Sequence, residues 1–123
     1  MGYALYGLKN YMPTKRELAL GAIHVEQNLI GESVGSQDQT AAAFGGLNKI
    51  SFNDGNGFEV EPIIIPTERQ MELQENLMLF FTGFARNASE IAKIQIEAIN
   101  QKENELKTMK EICDEGFNRL IDT

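Results

Sequence analysis

One stretch constrains this chain more than any other: Val34-Gly35-Ser36-Gln37-Asp38-Gln39-Thr40-Ala41-Ala42-Ala43-Phe44-Gly45-Gly46. A small loop at Gly35 and Ser36 leads into a polar start, a run of alanines and paired glycines. Ser36 and Gln39 have the spacing of a capping box, so a short helix is predicted over 37–44, ended by Gly45-Gly46. Asp38 falls in its first turn, where the helix dipole stabilises negative charge. A glycine beside it lets a ligand approach the backbone closely. A carboxylate so placed is a candidate functional group, and equally a charge that only stabilises the helix start.

The segment before it reads as a long amphipathic helix. Thr14 and Glu17 form a capping box after Pro13, and Leu18, Ala22, Val25 and Leu29 recur at helical spacing toward a C-cap at Gly31. A helix is therefore expected over 14–30, with Glu26 late on it. Residues 2–11 read like the last turns of a helix that begins in mid-element. After Gly46, Leu47 to Phe52 alternates as a strand, and Asn53-Asp54-Gly55-Asn56-Gly57 is a hairpin turn. Phe58 to Glu61 returns as the partner strand. Residues 68–76 suit a short helix or a loop. The run Leu77 to Thr82 reads as a buried strand, followed by a turn and a helix capped by Asn87. A final helix is expected over 102–122, with Leu106, Met109, Ile112, Cys113, Phe117, Leu120 and Ile121 inward. The pattern is α+β, helices on antiparallel strands, with a composition shift near Pro62 to Glu68 as a boundary between residues 1–66 and 67–123.

Composition limits the functions available. The chain has 123 residues, the size of one domain. Eleven Lys and Arg face 18 Asp and Glu, a net charge of −7, so nucleic acid is an unsuitable partner. One cysteine, Cys113, excludes an internal disulfide and a cysteine-built zinc site, and its helical apolar setting reads as a small buried hydrophobe. No membrane-length apolar run and no secretory leader pattern is present, which points to a cytoplasmic setting.

Three charged residues are candidates for chemistry. Glu26 and Asp38, brought together by a helix and a loop, could hold a divalent cation and orient a hydroxyl. On spacing alone, Glu26 reads first as a solvated carboxylate on a helix face. Arg86 follows the apolar run and precedes a helix start, where a guanidinium and free backbone N–H groups make an anion site. It reads equally as a solvated arginine. His24 lies two residues before Glu26 and points to another face.

The run Glu26 to Gln39, followed by Ala41-Ala42-Ala43-Phe44-Gly45-Gly46 and Asn48, resembles the GHMP kinase superfamily, and within it most the heptose 7-phosphate kinases. Phe80-Phe81-Thr82-Gly83 with Arg86, Ala88, Ile91 and Ala92 resembles the same subgroup. The resemblance covers most of the chain, from about residue 4 onward. It implies a two-lobed fold, with residues 1–66 ending the N-terminal lobe and 67–123 starting the C-terminal one. It also implies transfer of the γ-phosphoryl of Mg-ATP to a hydroxyl of a sugar or sugar phosphate. Asp38 would match the family's base or hydroxyl-orienting group, and Glu26 its magnesium ligand. Arg86 would hold the substrate phosphate, while Gly35, Ser36 and Gln37 shape the acceptor pocket.

Parts of that family's pattern are missing. No Pro-x-x-x-Gly-Leu-Gly-Ser-Ser phosphate loop is present, and no late glycine-rich motif. Neither Gly45-Gly46 nor the hairpin turn opens a helix after a strand as such a loop must. The expectation is an internal slice that carries the acceptor carboxylates without the nucleotide cradle, binds ATP weakly and self-associates through exposed apolar surface. A non-catalytic remnant or assembly module fits the same absences, and a different acceptor such as galactose fits the same motif.

Overall fold

A computed structural model of the chain describes residues 2–53, 57–81, 83 and 98–122. Helix α1 spans Gly2–Gly7. The chain then turns through Asn10, which has a positive φ of 52°, to a buried Pro13. Helix α2, Lys15–His24, starts at the expected capping box: the Glu17 N–H donates to Thr14 Oγ1 at 3.2 Å, and the Thr14 N–H donates to Glu17 Oε2 at 2.8 Å.

The long helix is not α-helical throughout. At Val25 it widens into a π segment, Val25–Ile30, a wind often found at functional sites. Gly31 ends it with φ +77°, and the N–H groups of Gly31 and Glu32 both donate to the Glu26 carbonyl. A positive φ there favours glycine. The buried face also differs from the expected one. It runs through Ala19, Ile23 and the half-buried Gln27, while Val25 and Leu29 are exposed. Ala19 is the reason: its small side chain lets α2 lie close against α3, Gln37–Phe44, where Ala43 faces it in the same core.

Two antiparallel strands complete this unit. Strand β1, Asn48–Asn53, pairs with β2, Gly57–Pro62, in a register that sets Ile50 opposite Val60 and Phe52 opposite Phe58. The expected hairpin turn, 54–56, lies outside the described residues, but the pairing on either side of it is as predicted. Phe58 is 2% exposed and closes the core over Ala19 and Ala43. Phe44 meets its ring edge-on at 5.9 Å between centroids. Arg16 stacks on the same ring at 4.4 Å and donates to the Phe58 carbonyl at 2.8 Å.

Beyond Pro62 the chain opens out. Helix α4, Thr67–Glu75, resolves the choice between helix and loop. Leu77 to Phe81 form no strand, and all five side chains are exposed. The apolar run supplies a strand composition, but a strand needs a neighbour to take its backbone hydrogen bonds, and the sheet of the described residues is β1–β2 alone. Thr82, the Asn87 cap with its helix, and Arg86 lie outside the described residues. A 3₁₀ turn, Ile99–Gln101, precedes α5, Glu103–Ile121. The apolar face of α5 is not buried as expected: Leu106, Met109, Ile112, Cys113 and Ile121 are exposed, and Phe117 and Leu120 only half-buried. Cys113 is therefore not a core residue. Few groups tie α5 down. Lys49 Nζ pairs with Asp114 at 2.9 Å and lies 4.4 Å over the Phe117 ring, and Arg69 Nη2 donates to the Arg119 carbonyl at 3.2 Å.

Candidate functional site

The site forms where the π segment faces the start of α3. Glu26 is the second residue of the π segment, and Asp38 the second of α3. Both line one cavity of about 550 Å³, together with Gly35, Val34 and Gln39. Leu18, Ala22 and Ala42 give it an apolar wall, and Gly2 and Tyr3 of α1 line it too. Asp38 is exposed and Glu26 half-buried. Among the described residues neither takes part in an ion pair, so among them two carboxylates line the cavity without a cationic partner. Such a wall repels free phosphate and suits hydroxyl donors or a cation.

Three side chains fix the loop that joins the two elements. Gln27 Nε2 donates to the Val34 carbonyl at 2.9 Å and to Ser36 Oγ at 3.3 Å. Thr40 Oγ1, fully buried, donates to the Ser36 carbonyl at 2.7 Å. Ser36 is the N-cap of α3, but its side chain makes no cap bond; the hydroxyl is turned to Gln27 instead. The capping box expected for Ser36 and Gln39 is therefore absent. A Cβ on Gly35 would meet the end of the exposed Gln37 side chain, which would have to swing aside.

Gln39 has a different task. Its Nε2 donates to Glu26 Oε2, spanning from α3 to the π segment. Its Oε1 is buried with no hydrogen-bond partner among the described residues. A buried acceptor left without a partner is costly.

The structure separates the expected acceptor-pocket residues. Gly35 lines the cavity with Glu26 and Asp38. Ser36 and Gln37 line a second cavity of about 910 Å³, with His24, Gln27 and Asn28 on one side and Leu106 of α5 on the other. His24 is exposed and sits 3.2 Å from Asn28 Oδ1 through its Nδ1. The sequence reading missed Gln27 and Gln39 as parts of the site. The available signal for Gln27 was a polar residue four places after Ile23, on a face that otherwise buries apolar side chains.

A magnesium ion commonly takes one or two carboxylates and completes its shell with waters and substrate phosphates. Among the described residues there is no group of three or more His, Cys, Asp and Glu side chains able to hold a metal on its own. Glu26 has one carboxylate oxygen occupied by Gln39, and Asp38 lines the same cavity.

Comparison with known proteins gives one finding and two blanks. The chain is 36% identical over 75 residues to the D-glycero-alpha-D-manno-heptose 7-phosphate kinase of Campylobacter jejuni subsp. jejuni serotype O:2. The aligned stretch is 61% of this chain and 22% of that enzyme, so the match spans about a fifth of the relative's length. No protein-family profile matches the chain, and no solved structure matches it. The observed architecture is a mixture of helices with two antiparallel strands, an α+β arrangement. Among the described residues no helix is long and apolar enough to cross a membrane.

Proposed function

We propose that this chain carries the acceptor side of a GHMP-type sugar kinase, which moves the γ-phosphoryl of Mg-ATP to a hydroxyl of a phosphorylated sugar, heptose 7-phosphate. In this reading residues 1–66 belong to the N-terminal lobe and 67–123 to the C-terminal one. The observation that carries the reading is the cavity shared by Glu26, Gly35 and Asp38, in a chain 36% identical over 75 residues to an enzyme named for that reaction.

The chemistry follows from the placement. Phosphoryl transfer asks the protein mainly to position the reactants and to neutralise charge. Asp38 accepts a hydrogen bond from the sugar hydroxyl and takes its proton as the oxygen bonds to the γ-phosphorus and ADP leaves. Its exposure at the cavity edge leaves the carboxylate free to meet the hydroxyl. Glu26, held by Gln39, is the carboxylate that would hold a magnesium ion accompanying the nucleotide. That ion, when bound, neutralises the phosphate oxygens. Gly35 keeps the loop low at the cavity edge, and Ser36 and Gln37 brace it from the far side. Arg86 is assigned to the substrate phosphate from the resemblance alone.

The test is a chimera. The matching 75-residue stretch of the Campylobacter jejuni kinase is replaced by this chain's residues, and heptose 7-phosphate turnover is followed. The expected result is retained activity that falls by about 10²–10⁴-fold in Asp38→Asn, the usual contribution of a positioned base. A folded chimera whose activity ignores Asp38→Asn contradicts the proposal.

A further inference from the structure

The apolar stripe of α5 reads the same in both directions. Cys113 stands at its centre, Met109 and Phe117 lie four residues to either side, and Leu106 and Leu120 lie seven. Steps of four and seven return to one face of a helix with 3.6 residues per turn. Turning such a helix end for end lays Leu106 on Leu120, Met109 on Phe117 and Cys113 on itself. A two-fold interface requires this kind of self-complementarity, in which residue i meets j and j meets i. Much of the stripe faces solvent, with Met109 65% exposed and Ile112, on its edge, 63% exposed.

The charges beside the stripe match under the same operation. On the Ile112 edge, Glu105 stands near the start of α5 and Arg119 near its end. Reversal sets each Glu105 on the same edge as the partner's Arg119, which within one chain pairs with Glu115 at 2.7 Å and would exchange that partner for Glu105, and it brings Ile112 against its own counterpart. On the other edge Lys110 comes opposite the partner's Asp114, which Lys110 and Lys49 already bind within one chain. Glu111 and Glu115 project from the far side of the helix, away from the contact.

We infer that α5 pairs antiparallel with α5 of a second copy of this chain, with Cys113 on the two-fold axis. This surface lies apart from the Glu26 and Asp38 cavity and does not depend on the kinase reading. The geometry allows a direct probe. Packed helices lie about 8–10 Å apart and Cα atoms sit about 2.3 Å from each axis. Two Cys113 Cα atoms at the axis are then about 3.4–5.4 Å apart, and at the wider separations they are within reach of a disulfide.

The experiment uses the purified 123-residue chain at about 100 μM, read by sedimentation equilibrium, with oxidised glutathione as the cross-linking oxidant. The expected result is a dimer that becomes covalently linked through Cys113. Glu105→Arg, which sets like charges together at both ends, weakens the dimer about tenfold, the size of two exposed ion pairs lost. The charge swap Glu105→Arg with Arg119→Glu restores it to within about threefold, a rescue that non-specific apolar sticking does not give. A monomer at this concentration overturns the inference. So does a dimer that neither cross-links at Cys113 nor responds to the swap, which places the contact elsewhere, for example on Leu77 to Phe81.

Discussion

The two halves of this chain carry the same kind of helical pattern and do opposite things with it. From Pro13 to Phe58, α2, α3 and the hairpin bury Ala19, Ile23, Thr40, Ala43 and Phe58. In α4 and α5 no described residue is buried, although α5 has a long, regular apolar face. The difference is in what faces each helix. In the first half small residues meet, Ala19 with Ala43, so two helices can approach and a single phenylalanine seals the gap. In the second half the face is built of larger side chains, Leu106, Met109, Ile112 and Phe117, and among the described residues Lys49 and Arg69 reach across to α5. Periodicity shows that a face is apolar; the packing surface opposite decides whether it is buried.

Truncating the seal should have the largest effect. Phe58→Ala is expected to cost about 3–5 kcal/mol, measured by urea unfolding with circular dichroism, whereas Met109→Ala costs the monomer less than about 1 kcal/mol. Equal costs would break the contrast between the halves. Glycine substitutions should differ in sign. Gly31→Ala forces a side chain into a left-handed turn at φ +77° and destabilises by about 1–2 kcal/mol. Gly116→Ala, inside α5 with open space around it, stabilises by about 0.5–1 kcal/mol. Thermal melts of the two variants should move in opposite directions. Losing the α2 cap, Thr14→Ala, is expected to cost about 1 kcal/mol, seen as a lower urea midpoint.

The smallest effect concerns the link between the halves. Hydrogen bonds from Lys110 and Lys49 hold the Asp114 carboxyl down at about 2, against an ordinary 3.8. Because the folded value is depressed, the contribution is present above about pH 4 and is lost as pH falls toward 2. Amide protection in α5, corrected for the intrinsic pH dependence of exchange, should fall over that window and be unchanged above it. In Asp114→Asn the pH step should vanish. A step that persists in that variant would assign it to another group.

Much of the first half was legible in its residues. Thr14 with Glu17, Gly31 and the alanine run ended by Gly45-Gly46 each carry a local physical signal, and the elements lie where those signals put them; the strands flanking 54–56 pair as expected. The π segment had no such signal. It accompanies contacts made at a distance, Gln27 to Val34 and Ser36, and Glu26 to Gln39, which spacing along one helix does not reveal. Ser36 and Gln39 had the right spacing for a cap, but each has a partner on the other element instead. The run Leu77 to Phe81 misled because composition announces a strand without providing its neighbour. Glu26 and Asp38 were candidates by position and took their expected roles from resemblance; the geometry adds Gln39, whose contact with Glu26 spans 13 residues.

The central claim is that the cavity of Glu26, Gly35 and Asp38 receives an acceptor sugar. It is tested most directly by titrating heptose 7-phosphate into the isotope-labelled chain and following the backbone amides by NMR. The account predicts saturable shifts at Gly35, Asp38 and Gln39, with affinity reduced about tenfold or more in Asp38→Asn, the size of a lost hydrogen bond to a charged group. Shifts confined to other surfaces, or equal binding by the Asp38→Asn chain, would contradict it.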